Sequence, residues 1–279
     1  MTYDYSIMAQ FIKRISEYFD GQVVTFVLDS LRKRVHSIRD CLLISDSRSL
    51  AGIVNEGSFD CVTSIAALND YVHLNKDLTK IHMLLNSRGV FIGYVETSEQ
   101  YAQHVHSRHN YILAQFMILL SFVFGRVIPR LFGARQIIEK CGLVKHHGLT
   151  KCEALGRLRY CGFQIMRLRE FGKRLYFLAR KSSAPLNGAP CEGMLIKIRK
   201  VGLKGNIIQC YKLRTMHSYA NYLHDYILDN LEIDNNGKVV GDFRVPTWGK
   251  ILRKLWLDEM PQLLNILKGE LTFIGLRHL

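Results

Sequence analysis

Apolar positions change their period several times along this chain. Cys41–Asp46 (CLLISD), Phe59–Asn69 (FDCVTSIAALN) and Gly89–Thr97 (GVFIGYVET) are short apolar runs, which predicts strands. Between the last two, Asp77–Gly89 (DLTKIHMLLNSRG) sets Leu78, Ile81, Leu84 and Leu85 at helical spacing, with Gly89 expected as the C-cap. Strand, helix and strand in alternation predict a parallel sheet with crossover helices. Ala154–Lys181 (ALGRLRYCGFQIMRLREFGKRLYFLARK) then reads as a helix, a turn at Gly162, a strand, a turn and a strand.

A cluster of Ser, Pro, Asn and Gly, Lys181–Pro190 (KSSAPLNGAP), interrupts the pattern as a linker would. After it, Met194–Met216 (MLIKIRKVGLKGNIIQCYKLRTM) predicts two strands around a Gly202–Gly205 turn that carries Lys204. Ser218–Leu231 predicts a helix with Tyr222, Leu223 and Tyr226 near one face, and Glu232–Lys238 (EIDNNGK) a polar turn. The organisation expected is an α/β domain over residues 1–181, a linker over 182–192 and a smaller α+β domain over 193–279.

Composition narrows the partners. The chain has 279 residues, 48% of them hydrophobic, with a formal net charge of +14. That charge implies an anionic partner: nucleic acid, acidic lipid or a phosphorylated substrate. The excess is concentrated, since Tyr101–Lys181 holds fifteen Lys and Arg against three Asp and Glu. Inside it, Tyr111–Phe124 is an almost wholly apolar stretch flanked by Arg108, Arg126, Arg130 and Arg135. Fourteen residues are too few to span a bilayer but suit a buried helix or an interfacial segment. Apolarity beside basic charge favours an anionic membrane surface. Nucleic acid is not expected, because no helix-turn-helix, RRM or zinc pattern occurs. An exposed apolar insert near 108–135 would also favour association between copies. The cysteines number seven and form no CxxC pair, so they read as reduced thiols, not a zinc site or disulfide frame.

Candidate chemistry lies near the end, in LWLDEMPQLLN. Asp258 and Glu259 precede Pro261 and an apolar run. Proline favours the first turn of a helix, so the pair belongs at a helix start, where two adjacent carboxylates can reach one pocket. On spacing alone this is equally a capped N-terminus with favourable charge.

Two resemblances extend the reading. Phe59–Thr97 and Gly162–Lys181 resemble the back half of a class I S-adenosylmethionine-dependent methyltransferase. That implies a Rossmann-like sheet, here without the Gly-rich cofactor loop; Asp46 is expected at a strand end, where a ribose-binding acid would be. The domain is expected to be a degenerate, non-catalytic scaffold. The second half resembles the bacterial sugar transferase family, the polyprenyl-phosphate glycosyl-1-phosphate transferases of small monotopic type. The motifs RKVGLKGN, YKLRTM and GDFRVPTWGKILRKLWLDEMPQLLNILKGELTFIG carry it, over about Gly193 to Leu279.

That resemblance implies an enzyme of the cytoplasmic face of the bacterial inner membrane, with a UDP-sugar donor and a polyprenyl phosphate acceptor. It implies Asp258 as the nucleophile that takes the phosphosugar, and Glu259 as the ligand of a Mg²⁺ cofactor. Arg199, Lys200, Lys212, Arg214, Arg244, Arg253, Gln262 and Arg277 become expected substrate contacts, and Asn265 a candidate polar pocket residue. The chain departs from the family in three places. Lys200 stands where Arg is usual, no re-entrant helix directly precedes the domain, and GLRH replaces GPRP. The catalytic region is accordingly expected to be incomplete at its C-terminus. The alternative reading is a non-catalytic membrane-associated scaffold or regulator.

Overall fold

The computed structural model describes residues 41–44, 50, 56–71, 73–122, 148–172, 174–186, 194–202, 205–232, 234 and 239–272, with five isolated positions before residue 30. The chain divides into two compact units, Met1–Asn187 and Gly188–Leu279. Asp46, Lys204, Arg277 and the insert beyond Phe122 lie outside the described residues.

The first unit is built on a five-stranded sheet in the order β1-β2-β3-β5-β4. Its strands are β1 (Cys41–Ile44), β2 (Phe59–Ala67), β3 (Leu85–Val95), β4 (Phe163–Phe171) and β5 (Arg174–Lys181). β1, β2 and β3 are parallel, while β5 runs antiparallel to both β3 and β4. One reversed strand, inserted between two that share the sheet's main direction, makes this the expected Rossmann-like, methyltransferase-type sheet.

The apolar run of β3 explains its central place. Val90 to Val95 are buried on both faces, as a strand covered on both sides requires. On one face Phe91 meets Phe163 and Phe177, with ring centroids 5.7 and 5.3 Å apart. On the other, Val90, Ile92, Tyr94, Tyr176 and Leu178 pack around Cys61. Gly93 is paired with Phe177, and a Cβ there would meet the Phe177 ring at 2.9 Å.

The crossover helix α1 (Leu74–Leu84) buries Leu74, Leu78, Ile81 and Leu84. It ends earlier than the sequence suggests. Leu85 already pairs with Phe59, so Gly89 lies inside β3 and is not a C-cap. A side chain at 89 would come within 3.0 Å of the Phe59 carbonyl oxygen.

Three further helices belong to this unit: α2 (Ser98–Arg108), α3 (Tyr111–Phe122) and α4 (Lys151–Tyr160). Thr97 and Thr150 cap α2 and α4 by accepting the amides of Gln100 and Glu153. α3 buries Ala114 but exposes Tyr111, Ile112, Phe116 and Leu119 by more than half. No helix among the described residues is long and apolar enough to cross a membrane. The described cysteines are free, and burial pushes the Cys161 thiol up to about 11, which suits a packing role.

The second unit is a small α+β fold. A hairpin of β6 (Leu195–Val201) and β7 (Ile207–Leu213) turns through Gly202 and Gly205, the latter at φ +79°. Helix α5 (His224–Asn230) follows a 3-10 turn at Ala220–Leu223, and α6 (Thr247–Lys254) comes next. Leu257–Gln262 is a six-residue 3-10 turn that leads into the short α7 (Leu263–Leu267).

Candidate active site

The acidic pair sits where the sequence suggests a helix start, but on a tighter element. Trp256 enters the left-handed region at φ 58°, and the chain then coils as a 3-10 turn with Asp258 and Glu259 in its first turn. Asp258 is not a cap: Trp256 holds that place and no side chain caps the turn. Side chains three apart eclipse in 3-10 geometry, so Glu259 and Gln262 share one side.

β7 brings cationic charge to this turn. Lys212 Nζ donates to Glu259 Oε1 at 2.5 Å, with both side chains largely shielded from water. Alternation along the hairpin puts Lys200 and Lys212 on the half-buried face, together with Cys210. Burial raises the Cys210 thiol, and the charges of Lys200 and Lys212 oppose that rise. Arg199, one residue from Lys200, points to the opposite, exposed face. Arg199 and Lys200 therefore do not serve one pocket. Among the described residues, no hydrogen bond or ion pair engages the Asp258 carboxylate.

Asn265 fixes the turn to the strand. It is fully buried. Its Oδ1 accepts the Tyr211 N–H at 3.1 Å, and its Nδ2 donates to the Gln209 carbonyl at 2.7 Å and to Glu270 Oε2 at 2.6 Å. The Tyr211 amide and the Gln209 carbonyl are main-chain groups of β7, satisfied here as a third strand would satisfy them. Gln262 differs: its Nε2 is buried and has no hydrogen-bond partner among the described residues. A buried amide donor without an acceptor is costly, and an anionic oxygen would satisfy it.

A second polar cluster surrounds Arg244. Its guanidinium grips Asp242 through Nε and an Nη at 2.8–3.1 Å, and its own amide donates to the same carboxylate. Burial works to raise the Asp242 carboxyl, but the Arg244 hydrogen bonds and the charges of Arg244 and Arg253 outweigh it, leaving the group below its usual range. Through Nε and one Nη, the fork of Arg244 is thus engaged in a shielded internal pair with Asp242. Asp242 is the partner that sequence reasoning overlooked, although an acid two residues before the Arg is a local signal. Arg253 donates from Nε to Thr215 Oγ1 at 2.8 Å. α6 can approach that closely because residue 249 is glycine; a Cβ there would lie 2.1 Å from the Thr215 carbonyl oxygen. Arg214 anchors the start of the hairpin, its amide donating to the Met194 carbonyl.

The acidic turn also borders an apolar surface. Trp248, Ile251, Leu255, Trp256, Leu257 and Met260 are exposed, and Leu267 is 83% exposed. On α6 this face alternates with Lys250, Arg253 and Lys254.

Residues 189–279 match the family described as bacterial sugar transferase. Over 84 residues the chain is 39% identical to the exopolysaccharide production protein ExoY of Sinorhizobium fredii, a match covering 28% of this chain and 37% of that one. It is 34% identical over 84 residues to the undecaprenyl-phosphate galactose phosphotransferase of Salmonella typhimurium, covering 28% and 18%. It is 37% identical over 83 residues to the UDP-glucose:undecaprenyl-phosphate glucose-1-phosphate transferase of Caulobacter vibrioides, covering 30% and 27%. The chain thus spans well under half the length of these relatives. The sequence of the second unit thus matches the bacterial sugar transferase family, and two of the three relatives are named as undecaprenyl-phosphate sugar-phosphate transferases.

Among solved structures, the chain is similar to an S-adenosylmethionine-dependent methyltransferase from Mesorhizobium loti, at 18% identity and TM-score 0.31, over 47% of this chain and 66% of that one. It is also similar to the 1,6-didemethyltoxoflavin-N1-methyltransferase of Burkholderia thailandensis, at 15% identity and TM-score 0.29, over 48% of each chain. The fold of the first unit rests on its own strand pairings.

Proposed function

We propose that the second unit moves a sugar-1-phosphate from a UDP-sugar to polyprenyl phosphate, the step that opens assembly of a glycan such as an exopolysaccharide or O-antigen. The observation that carries this reading is one turn of chain on which Asp258, its carboxylate without a partner among the described residues, adjoins Glu259, itself held against Lys212.

Both substrates are anionic, so a nucleophile must reach phosphorus against charge repulsion. Lys212, Lys200 and the buried Gln262 amide suit that need, since fixed donors and cations at a transferring phosphoryl group lower its barrier. An Asp258 oxygen attacks the sugar-bearing phosphorus, and the bond to the bridging oxygen breaks with UMP as the leaving group. A phosphate oxygen of the polyprenyl phosphate then attacks the same phosphorus. The aspartyl bond breaks, the carboxylate is regenerated and a polyprenyl diphosphate sugar leaves.

Mg²⁺ fits the donor set. It takes one or two carboxylates and completes its shell with water and phosphate oxygens, so Glu259 together with the donor's diphosphate suffices. Glu259 would hold it there, and its charge would offset that of the diphosphate. The apolar surface beside the acidic turn suits an acceptor that is presented from a lipid layer. With the basic residues of α6 it suits an anionic membrane surface, at the cytoplasmic face of the bacterial inner membrane.

The test is release of UMP from UDP-sugars by the full chain in detergent, with Mg²⁺ and undecaprenyl phosphate. Asp258→Asn should abolish it. Undiminished turnover in that variant would remove Asp258 from the mechanism.

A further inference from the structure

Glu259 already has a cation. Lys212 Nζ lies 2.5 Å from Glu259 Oε1, and the side chains are 21% and 31% exposed. This is no chance meeting of two long surface side chains. Asn265 binds the main chain of β7 at Gln209 and Tyr211, on either side of Cys210, and so holds the strand that presents Lys212 against the turn that presents Glu259. The neighbouring acid, Asp258, has no such counter-ion among the described residues. Within one acidic pair, the described residues neutralise one carboxylate and not the other.

We propose that Lys212 stands in the place of a divalent cation at Glu259, and that ammonium and metal exchange there. The proposal rests on the reading of Glu259 as a metal ligand given above. A metal ion and an ammonium group cannot share one carboxylate oxygen at contact distance, because like charges a few ångströms apart repel strongly in a half-shielded site. A metal ion that takes Oε1 must therefore displace Lys212. Lysine is suited to move, being a point charge on a flexible four-carbon stem. Once displaced, its ammonium is free to pair with an anion, and the donor's diphosphate is the anion the site is built to receive.

Two consequences follow from this exchange. The pair with Lys212 holds down the metal affinity of the substrate-free site. Metal and diphosphate also reinforce one another: metal binding frees a phosphate-binding cation, and a diphosphate that draws Lys212 away uncovers the metal ligand. Linkage requires the reinforcement to be equal in both directions.

The experiment is a Mn²⁺ titration of the full chain in detergent, followed by electron paramagnetic resonance, with and without UDP. Lys212→Met should bind Mn²⁺ about three- to tenfold more tightly than wild type when UDP is absent, since the competing cation is gone. In wild type, UDP should tighten Mn²⁺ binding, and in Lys212→Met that gain should shrink or vanish. Lys212→Arg, which keeps the charge, should retain the weaker affinity. Equal or weaker Mn²⁺ binding in a Lys212→Met protein with wild-type circular dichroism would overturn the proposal.

A second measurement needs no variant. Brief acetylation followed by mass spectrometry should modify Lys212 more extensively at saturating Mn²⁺ than without it, and unchanged labelling would equally overturn the exchange. Neither readout involves turnover, so failure here is distinct from failure of UMP release. If Mn²⁺ binding is independent of Glu259, as read with Glu259→Gln, the metal-ligand reading itself falls.

Discussion

Asn265 clamps Tyr211: the Asn265 carboxamide oxygen accepts the Tyr211 amide at 3.1 Å while its nitrogen reaches the Gln209 carbonyl at 2.7 Å. The side chain acts as a one-residue strand along β7. Asn265→Ala would leave the two main-chain groups and Glu270 without this partner. It should destabilise the second unit by about 2–3 kcal/mol. Asn265→Asp should not rescue it, because a carboxylate has no proton for the Gln209 carbonyl and repels Glu270. The chain's two tryptophans, Trp248 and Trp256, both lie in this unit, so urea unfolding followed by tryptophan emission reads it selectively. Wild-type stability in Asn265→Ala would refute the clamp.

The Asp242–Arg244 pair gives the second unit an acid-sensitive element. Asp242 is held below its ordinary value of 3.8 in the folded state. The sign follows from linkage: a depressed carboxyl contributes stability that is complete above the unfolded value. That contribution is lost as pH falls through the lower folded value. Wild type should therefore lose stability below about pH 4, on the range of an unperturbed aspartate. Asp242→Asn should be less stable at pH 7, because it leaves the Arg244 guanidinium shielded without its counter-charge. Below pH 4 the gap between the two should narrow. Parallel pH profiles of tryptophan-detected unfolding would contradict this.

Legibility in the sequence followed how local each cause is. β3 was readable because an apolar run bounded by turn signals needs no partner to be recognised. The end of α1 was not: apolar spacing continues to Leu85, but pairing of Leu85 with Phe59 turns the chain to strand four residues before Gly89. At the site, the place of Asp258 and Glu259 in a first turn was legible from Pro261. The role of Asn265 was not, since its spacing from Glu259 and Gln262 suggests a shared pocket, whereas its partners lie on a strand more than fifty residues earlier. Arg244 was read as an anion contact from its motif. Its engagement with Asp242 depends on a turn whose shape the motif does not reveal.

Gly249 is a contact position more than a flexible one. A methyl group there would sit 2.1 Å from the Thr215 carbonyl oxygen, a backbone atom that cannot swing aside. Gly249→Ala should push α6 off the strand end, break the Arg253–Thr215 hydrogen bond and cost about 2 kcal/mol or more, despite the better helix propensity of alanine. Trp248, next in sequence, should report the shift as altered emission in the folded state. A variant as stable as wild type, with unchanged emission, would show that α6 does not need this close approach.

The exposed apolar face of the second unit should enter lipid. Trp256 is 65% exposed and Leu255 58%, and Lys250, Arg253 and Lys254 stand beside them on or next to α6. An apolar strip with a basic border binds anionic interfaces by apolar burial and charge attraction together. Vesicles containing phosphatidylglycerol should shift tryptophan emission to the blue, and brominated lipid should quench it. Leu255→Glu with Leu267→Glu should weaken co-sedimentation by about tenfold or more, since each exchange removes an apolar anchor and adds a repelled charge. Helix α3 of the first unit offers an independent control. If Ile112→Glu with Phe116→Glu abolishes co-sedimentation while the α6–α7 pair of changes leaves it intact, lipid contact belongs to the first unit and the apolar face beside Asp258 has another occupant.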